Sequence, residues 1–314
     1  MNIVVLDGYA LNPGDLSWAP FESMGSLTVY DRTSPEQVEA RARLADAVLT
    51  VRTPLNREII RHLGQLRFIG VLGSDPSHVN VEIARKRGIE VADAAGADVE
   101  STAQLAMALL LELTHGVGHH AHLVRGGRWC RGPDFTFRLH ALTELQGRTI
   151  GLVGLGRIGT AVARMAAAFG MEVLAHDPFI REAPPHVQLV PLEELASRSD
   201  VVSLHAIRTP ATEHLVNEAF LHRMKKSAFL INTAHGALID ETALAAALRA
   251  GRIAGAAVDV LSEEPPSPKN PLLRAPRCLI TPHLGWGTVA ARERIVRTVA
   301  DKLRQFVEKR AAAL

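Results

Sequence analysis

The stretch Thr149-Ile150-Gly151-Leu152-Val153-Gly154-Leu155-Gly156-Arg157-Ile158-Gly159-Thr160 constrains this chain more than any other. Its first five residues form a short apolar run with β-branched members, the pattern of a buried parallel strand. The run enters Gly154-x-Gly156-x-x-Gly159, and an Ala-rich helix is predicted over Ala161–Phe169. Each glycine answers a separate need. Gly154 permits the tight turn, Gly156 lets backbone approach a pyrophosphate, and Gly159 lets helix and strand pack closely. The free N–H groups at the helix start then bind the anion. A second strand, Glu172–Ala175, leads to Asp177, about 18 residues past Gly159, where a carboxylate can accept hydrogen bonds from ribose hydroxyls. The set predicts a dinucleotide site built on Gly154, Gly156, Arg157, Ile158, Gly159 and Asp177. Asp177 would repel a 2′-phosphate, and Pro178-Phe179-Ile180 add no cation, so NAD(H) is expected over NADP(H).

A chain of 314 residues can bury a large core and is long enough for two domains. Its net charge of +2 is too balanced to imply a nucleic-acid or membrane partner. Cys130 and Cys278 give no disulfide framework and fit a reducing, cytoplasmic setting. Met1–Asp7 reads as a short strand rather than a signal peptide. The longest apolar run, Leu105–Leu111, is too short to span a bilayer.

Residues 1–98 predict a small α/β unit with strands at Ile3–Leu6, Ala47–Val51, Phe68–Leu72 and Glu90–Ala92. Helices are predicted at Ser34–Arg43, Arg57–Leu63 and Val81–Arg87. Such alternation implies a parallel sheet. The loop Gly73-Ser74-Asp75-Pro76-Ser77 follows the third strand, where open α/β sheets carry ligands. Asp98 is read as the N-cap of one long helix from Val99 to about Leu123. In it His115 and His119 would share a face, but no acid or ligand motif accompanies them, and no metal is expected. After Asp177 the βα pattern continues with strands at Val201–His205, Phe229–Asn232, Gly255–Val260 and Leu279–His283. Helices are predicted at His214–Leu221 and Glu241–Ala250, and a last helix at Val289–Val307. The fold class is α/β with two doubly wound parallel sheets. A Rossmann-type cofactor domain, 99–284, is inserted into a flavodoxin-like substrate domain, 1–98 plus 285–314, and the site is expected in the cleft between them.

The segments ELQGRTIGLVGLGRIG, HDP, INTAHGALID, AAVDVLSEEPP and ITPHLGWGT resemble the NAD-dependent D-2-hydroxyacid dehydrogenase family over essentially the whole chain. The opening VLDGYALNPGDLSW looks most like its glycerate dehydrogenase/hydroxypyruvate reductase branch. The resemblance implies hydride transfer between nicotinamide and a small 2-hydroxy or 2-oxo acid, in a homodimer. It assigns His283 as the proton-exchanging histidine and Glu264 as its partner. A carboxylate behind the ring fixes its tautomer and stabilises imidazolium, which suits a proton donor working near neutral pH. Asp259 matches the acid near the nicotinamide carboxamide, and Thr102, Thr209 and Thr233 match cofactor-lining positions.

Two departures concern one chemical group. The family's pattern is Asn-Thr-Ser/Ala-Arg-Gly; this chain reads Asn232-Thr233-Ala234-His235-Gly236. An imidazole lacks the guanidinium fork that grips a carboxylate. In the loop after Leu72, Asp75 adds negative charge and Pro76 removes a backbone donor. Gly73, Ser74, Asp75 and Arg52 are therefore the substrate-binding candidates, with Arg52, Arg138 or Arg208 able to replace the missing clamp. The expectation is an altered substrate preference; the alternative is a weakened NAD(H)-binding sensor.

Overall fold

The computed structural model describes residues 1–312; positions 313 and 314 of the predicted C-terminal span lie outside the described residues. The chain forms two compact units: Met1–Asp98 with Trp286–Leu314, and Val99–Gly285.

In the first unit the strands β1 (Asn2–Val5), β2 (Ser26–Val29), β3 (Ala47–Thr50), β4 (Phe68–Val71) and β5 (Glu90–Ala92) are all parallel. Their order is β2-β1-β3-β4-β5, the flavodoxin-like arrangement. Strand periodicity divides the core in two. Ile3, Val5, Leu49 and Phe68 face Ile295, Val299 and Leu303 of the helix Val289–Ala311. Val4, Leu6, Val48 and Ile69 face the other way, onto Val38, Ile60 and Ile83. Because both faces are covered, these strands read as unbroken apolar runs. β2 does not: three of its four residues are exposed, so it carries no apolar signature and the sequence reading passed over it.

The second unit holds β6 (Thr149–Val153), β7 (Glu172–His176), β8 (Val187–Leu189), β9 (Val201–Leu204), β10 (Phe229–Asn232), β11 (Gly255–Val258) and β12 (Cys278–Ile280). The order β12-β11-β10-β9-β6-β7-β8 is the Rossmann winding, whose direction reverses between β6 and β9. Leu152 packs on one face with Ala103, Met107 and Leu110 of the helix Val99–His115 and with Ala163 and Ala166 of the helix Arg157–Ala168. Val153 joins Val202, Leu204 and Leu230 on the other.

Three predicted helices are corrected. The helix expected from Val99 to Leu123 is two, Val99–His115 and Val117–Arg125, broken at Gly116 with φ +58°. Glycine enters that left-handed conformation without the penalty a side chain would bring. The break also parts His115 from His119, which do not share one helix face. The helix expected at His214–Leu221 runs from Glu218 to Arg223, because the Asn217 side chain accepts the Phe220 N–H and starts it there, a cap contributing about 1 kcal/mol. The glycine-motif helix begins at Arg157, not Ala161.

Candidate active site

The turn after β6 meets the three glycine requirements separately. Gly154 has φ +95°, and a Cβ on it would sit 2.7 Å from the His205–Ala206 backbone. The turn therefore lies against the end of β9, at the point where the winding reverses and open α/β sheets bind ligands. A Cβ on Gly159 would lie 2.2 Å from the Gly154 carbonyl oxygen. Gly156 is the opposite case: it is exposed and nothing lies within 4 Å of its Cβ position. Arg157 is exposed beside it and Ile158 half-buried. Asp177, half-buried, accepts the Leu155 N–H (2.9 Å) and the Phe179 N–H (2.9 Å). A carboxylate has about four acceptor sites, so these bonds fix its direction and leave capacity for ribose hydroxyls.

Two further polar atoms are buried without a partner, His205 Nδ1 and Thr233 Oγ1, at the ends of β9 and β10. Polar groups are seldom left so unless a ligand meets them. Together with the open cradle at Gly156 they fit a dinucleotide. Burial pushes the His205 imidazole down from 6.5 to about 4, while its Nε2 lies 2.9 Å from Ser203 Oγ. The unfolded chain binds a proton at His205 below about pH 6.5 and the folded one does not. Stability should therefore fall as pH drops from 6.5 toward about 4, by roughly 3 kcal/mol from this group. Urea unfolding of wild type and His205→Asn across that window checks this. The variant's acid loss should be shallower, and parallel curves would refute it.

The two residues expected to exchange the proton, His283 and Glu264, are brought together by the loops that follow β12 and β11. His283 Nδ1 is 2.7 Å from Glu264 Oε2, with side chains 30% and 32% exposed. Glu264 Oε1 accepts the Leu261 N–H (3.0 Å), which anchors the carboxylate. His283 has φ +56°, a conformation costing a non-glycine residue about 1–2 kcal/mol. Asp259, only 2% exposed, holds it there. Its backbone carbonyl accepts the His283 N–H (2.9 Å). Its carboxylate accepts Thr281 Oγ1–H, Leu284 N–H and Gly285 N–H at 2.6–2.8 Å. Thr102, expected at the cofactor, donates to the Gly285 carbonyl (3.2 Å). Asp259 and Thr102 thus brace the loop that carries His283.

His235 is half-buried at the mouth of β10. Asn232, fully buried, donates from Nδ2 to the His235 carbonyl (2.9 Å) and accepts the Ala234 N–H (3.0 Å). Gly236 is compulsory, since a Cβ there would meet the Leu261 backbone at 2.0 Å. Thr209 Oγ1 contacts Thr212 Oγ1 (3.1 Å), and Arg208 pairs with Glu213 (3.3 Å).

The remaining candidates belong to the first unit. Arg52 lies 3.6 Å from Asp75. Ser74 donates to Asp98 (3.0 Å), and the Gly73 carbonyl accepts the Ala94 N–H. Asp98, expected to cap a helix, takes this serine bond. The ring nitrogens of His78 are buried; burial, then the Arg52 guanidinium, pushes that imidazole below its ordinary value. Asp7 was missed by the sequence reading, because its partners lie far along the chain. Its carboxylate accepts the N–H groups of Val51, Arg52 and Thr53. Among the described residues no group of three or more His, Cys, Asp or Glu gathers to hold a metal, and no helix is long and apolar enough to cross a membrane.

Residues 107–285 match the family described as D-isomer specific 2-hydroxyacid dehydrogenase, NAD binding domain. The chain belongs to that family. It is similar to a hydroxypyruvate reductase of Blautia hydrogenotrophica, 42% identical over 98% of this chain and 97% of the relative. It also resembles a glycerate dehydrogenase of Methylorubrum extorquens, 33% identical over 97% and 96%. Among solved structures it is similar to the D-lactate dehydrogenase of Aquifex aeolicus complexed with NAD and lactic acid, with TM-score 0.83 and 25% identity over 98% and 96% of the chains. The enzyme is thus an NAD-dependent oxidoreductase that transfers hydride at the CH–OH carbon of small 2-hydroxy acids.

Proposed function

We propose that the enzyme reduces a small 2-oxo acid of the hydroxypyruvate or glyoxylate class to the 2-hydroxy acid (the D form where the product is chiral), with NADH favoured over NADPH and His283 as proton donor. The observation that carries the reading is the 2.7 Å contact between His283 Nδ1 and Glu264 Oε2. The bound nicotinamide supplies the hydride at the carbonyl carbon. Glu264 holds the Nδ1 proton, so the Nε2 proton of His283 goes to the carbonyl oxygen. Asp259 keeps the imidazole in its left-handed position through that transfer. The substrate class is supported by the relatives named hydroxypyruvate reductase and glycerate dehydrogenase. The cofactor choice is supported by Asp177, whose charge opposes a 2′-phosphate.

In this reading His235 stands where the family's motif pattern has arginine, and Arg52 is the candidate for holding an acid end. His235→Arg should then raise kcat/KM on glyoxylate or hydroxypyruvate by about tenfold. Steady-state NADH oxidation checks it, and an unchanged value would make the loop at Ser74–Pro76 the larger obstacle. A sensor without turnover would not need a braced His–Glu pair, so that alternative is not favoured.

A homodimer is the expected assembly, supported by the apolar side chains left exposed after the helix break at Gly116: Val117, Trp129, Phe135 and Leu142. A cytoplasmic setting is supported by two unpaired cysteines, Cys130 and Cys278.

A further inference from the structure

The first sheet winds β2-β1-β3-β4-β5, so its direction reverses between β1 and β3, where a fold of this order binds its ligand. At that point three successive backbone N–H groups, of Val51, Arg52 and Thr53, converge. Such a run of donors is a nest for an anion. Here the chain supplies its own: Asp7, two residues past β1, accepts Val51 N–H on Oδ1 (2.8 Å) and Arg52 and Thr53 N–H on Oδ2 (2.7 Å each). Thr50, fully buried, adds a longer contact from Oγ1 (3.4 Å). The nest is thereby closed to a ligand's acid group, and the charge that emerges from it is the Arg52 side chain. That guanidinium is 54% exposed and reaches Asp75 at 3.6 Å.

We propose that Asp7 is a positioning residue for substrate binding: by filling the nest at residues 51–53 it fixes the backbone that presents the Arg52 guanidinium to the acid group of a 2-oxo acid. The proposal rests on the reading of Arg52 as the substrate's clamp. Arginine's fork is useful only when its direction is set, and three N–H bonds to one carboxylate set it at the root while Asp75 meets it at the tip. Asp7→Asn is the informative change. One amide oxygen survives, but the NH2 group must oppose at least one backbone N–H, leaving a donor unpaired.

The test is a double-mutant cycle on the full-length protein with glyoxylate and hydroxypyruvate, reading KM, kcat, thermal midpoint and NADH affinity. Arg52→Ala should raise KM about ten- to a hundredfold with NADH affinity unchanged. Asp7→Asn should raise KM by a similar factor with kcat changed far less, and should add nothing further in the Arg52→Ala background. If Arg52→Ala leaves KM unchanged, the clamp itself is wrong. If Arg52→Ala raises KM but Asp7→Asn does not, or its effect persists undiminished without Arg52, the clamp stands and the positioning role of Asp7 is refuted. A variant that lowers kcat and thermal midpoint together while KM stays constant marks Asp7 as purely architectural and equally overturns the proposal. Asp7→Glu, which keeps the charge, should recover part of the lost KM; no recovery beyond the Asn variant contradicts the nest account.

Discussion

Replacing His283 with alanine should lower kcat by about 10²- to 10⁴-fold while leaving NADH affinity within about twofold of wild type. The separation follows from where the side chain sits. His283 meets Glu264 through Nδ1 at 2.7 Å, and the loop around it is braced by backbone bonds to Asp259 rather than by the imidazole. Removing the ring therefore takes away the proton donor and leaves Leu284 and Gly285 in place. The backbone also gains little freedom, because the His283 N–H still reaches the Asp259 carbonyl at 2.9 Å. Glu264→Gln should cost less than His283→Ala, since an amide can still orient the ring but cannot stabilise its protonated form. Steady-state rates with hydroxypyruvate, alongside NADH fluorescence titration, distinguish these cases. Near-normal turnover of His283→Ala would remove histidine 283 from the chemistry.

The second large effect is expected at Gly156. Gly156→Val should abolish measurable NADH binding, by at least about a hundredfold in Kd, while the thermal midpoint stays within a few degrees of wild type. The backbone at Gly156 is extended, with φ −68° and ψ −165°, a conformation any residue adopts. Its Cβ position meets nothing within 4 Å, so the fold does not object to a side chain. Only a pyrophosphate seated at the helix start would. Gly159→Ala makes the contrast, because its Cβ would press on the Gly154 carbonyl at 2.2 Å and should destabilise the unit itself. If Gly156→Val bound NADH normally, the phosphate seat would lie elsewhere.

Much of this was legible in the sequence for reasons that can be named. Thr149–Thr160 could be read because strand, turn and helix leave distinct marks within a dozen residues, and Gly154, Gly156 and Gly159 each answer a different constraint. The pairing of His283 with Glu264 came from motif resemblance, and no spacing argument would have found it: residues 19 apart in sequence lie in the loops after β11 and β12, which only the parallel pairing of those strands brings together. β2 was missed because an edge strand with one half-buried side chain has no apolar periodicity. The helix break at Gly116 was missed because a glycine inside a helical pattern can either stay helical or turn left-handed, and the sequence does not display which. Asp7 was missed for a different reason. An aspartate after a strand looks like any solvated turn residue until the backbone of residues 51–53 is brought to it.

The most direct test of the account is NADH consumption by the wild-type enzyme with a panel of small 2-oxo acids, hydroxypyruvate and glyoxylate first. Expected are one NADH oxidised per molecule reduced, a single D-hydroxy acid from hydroxypyruvate and achiral glycolate from glyoxylate, and loss of that turnover in His283→Ala. Tight NADH binding with no oxidation by any 2-oxo acid would contradict it.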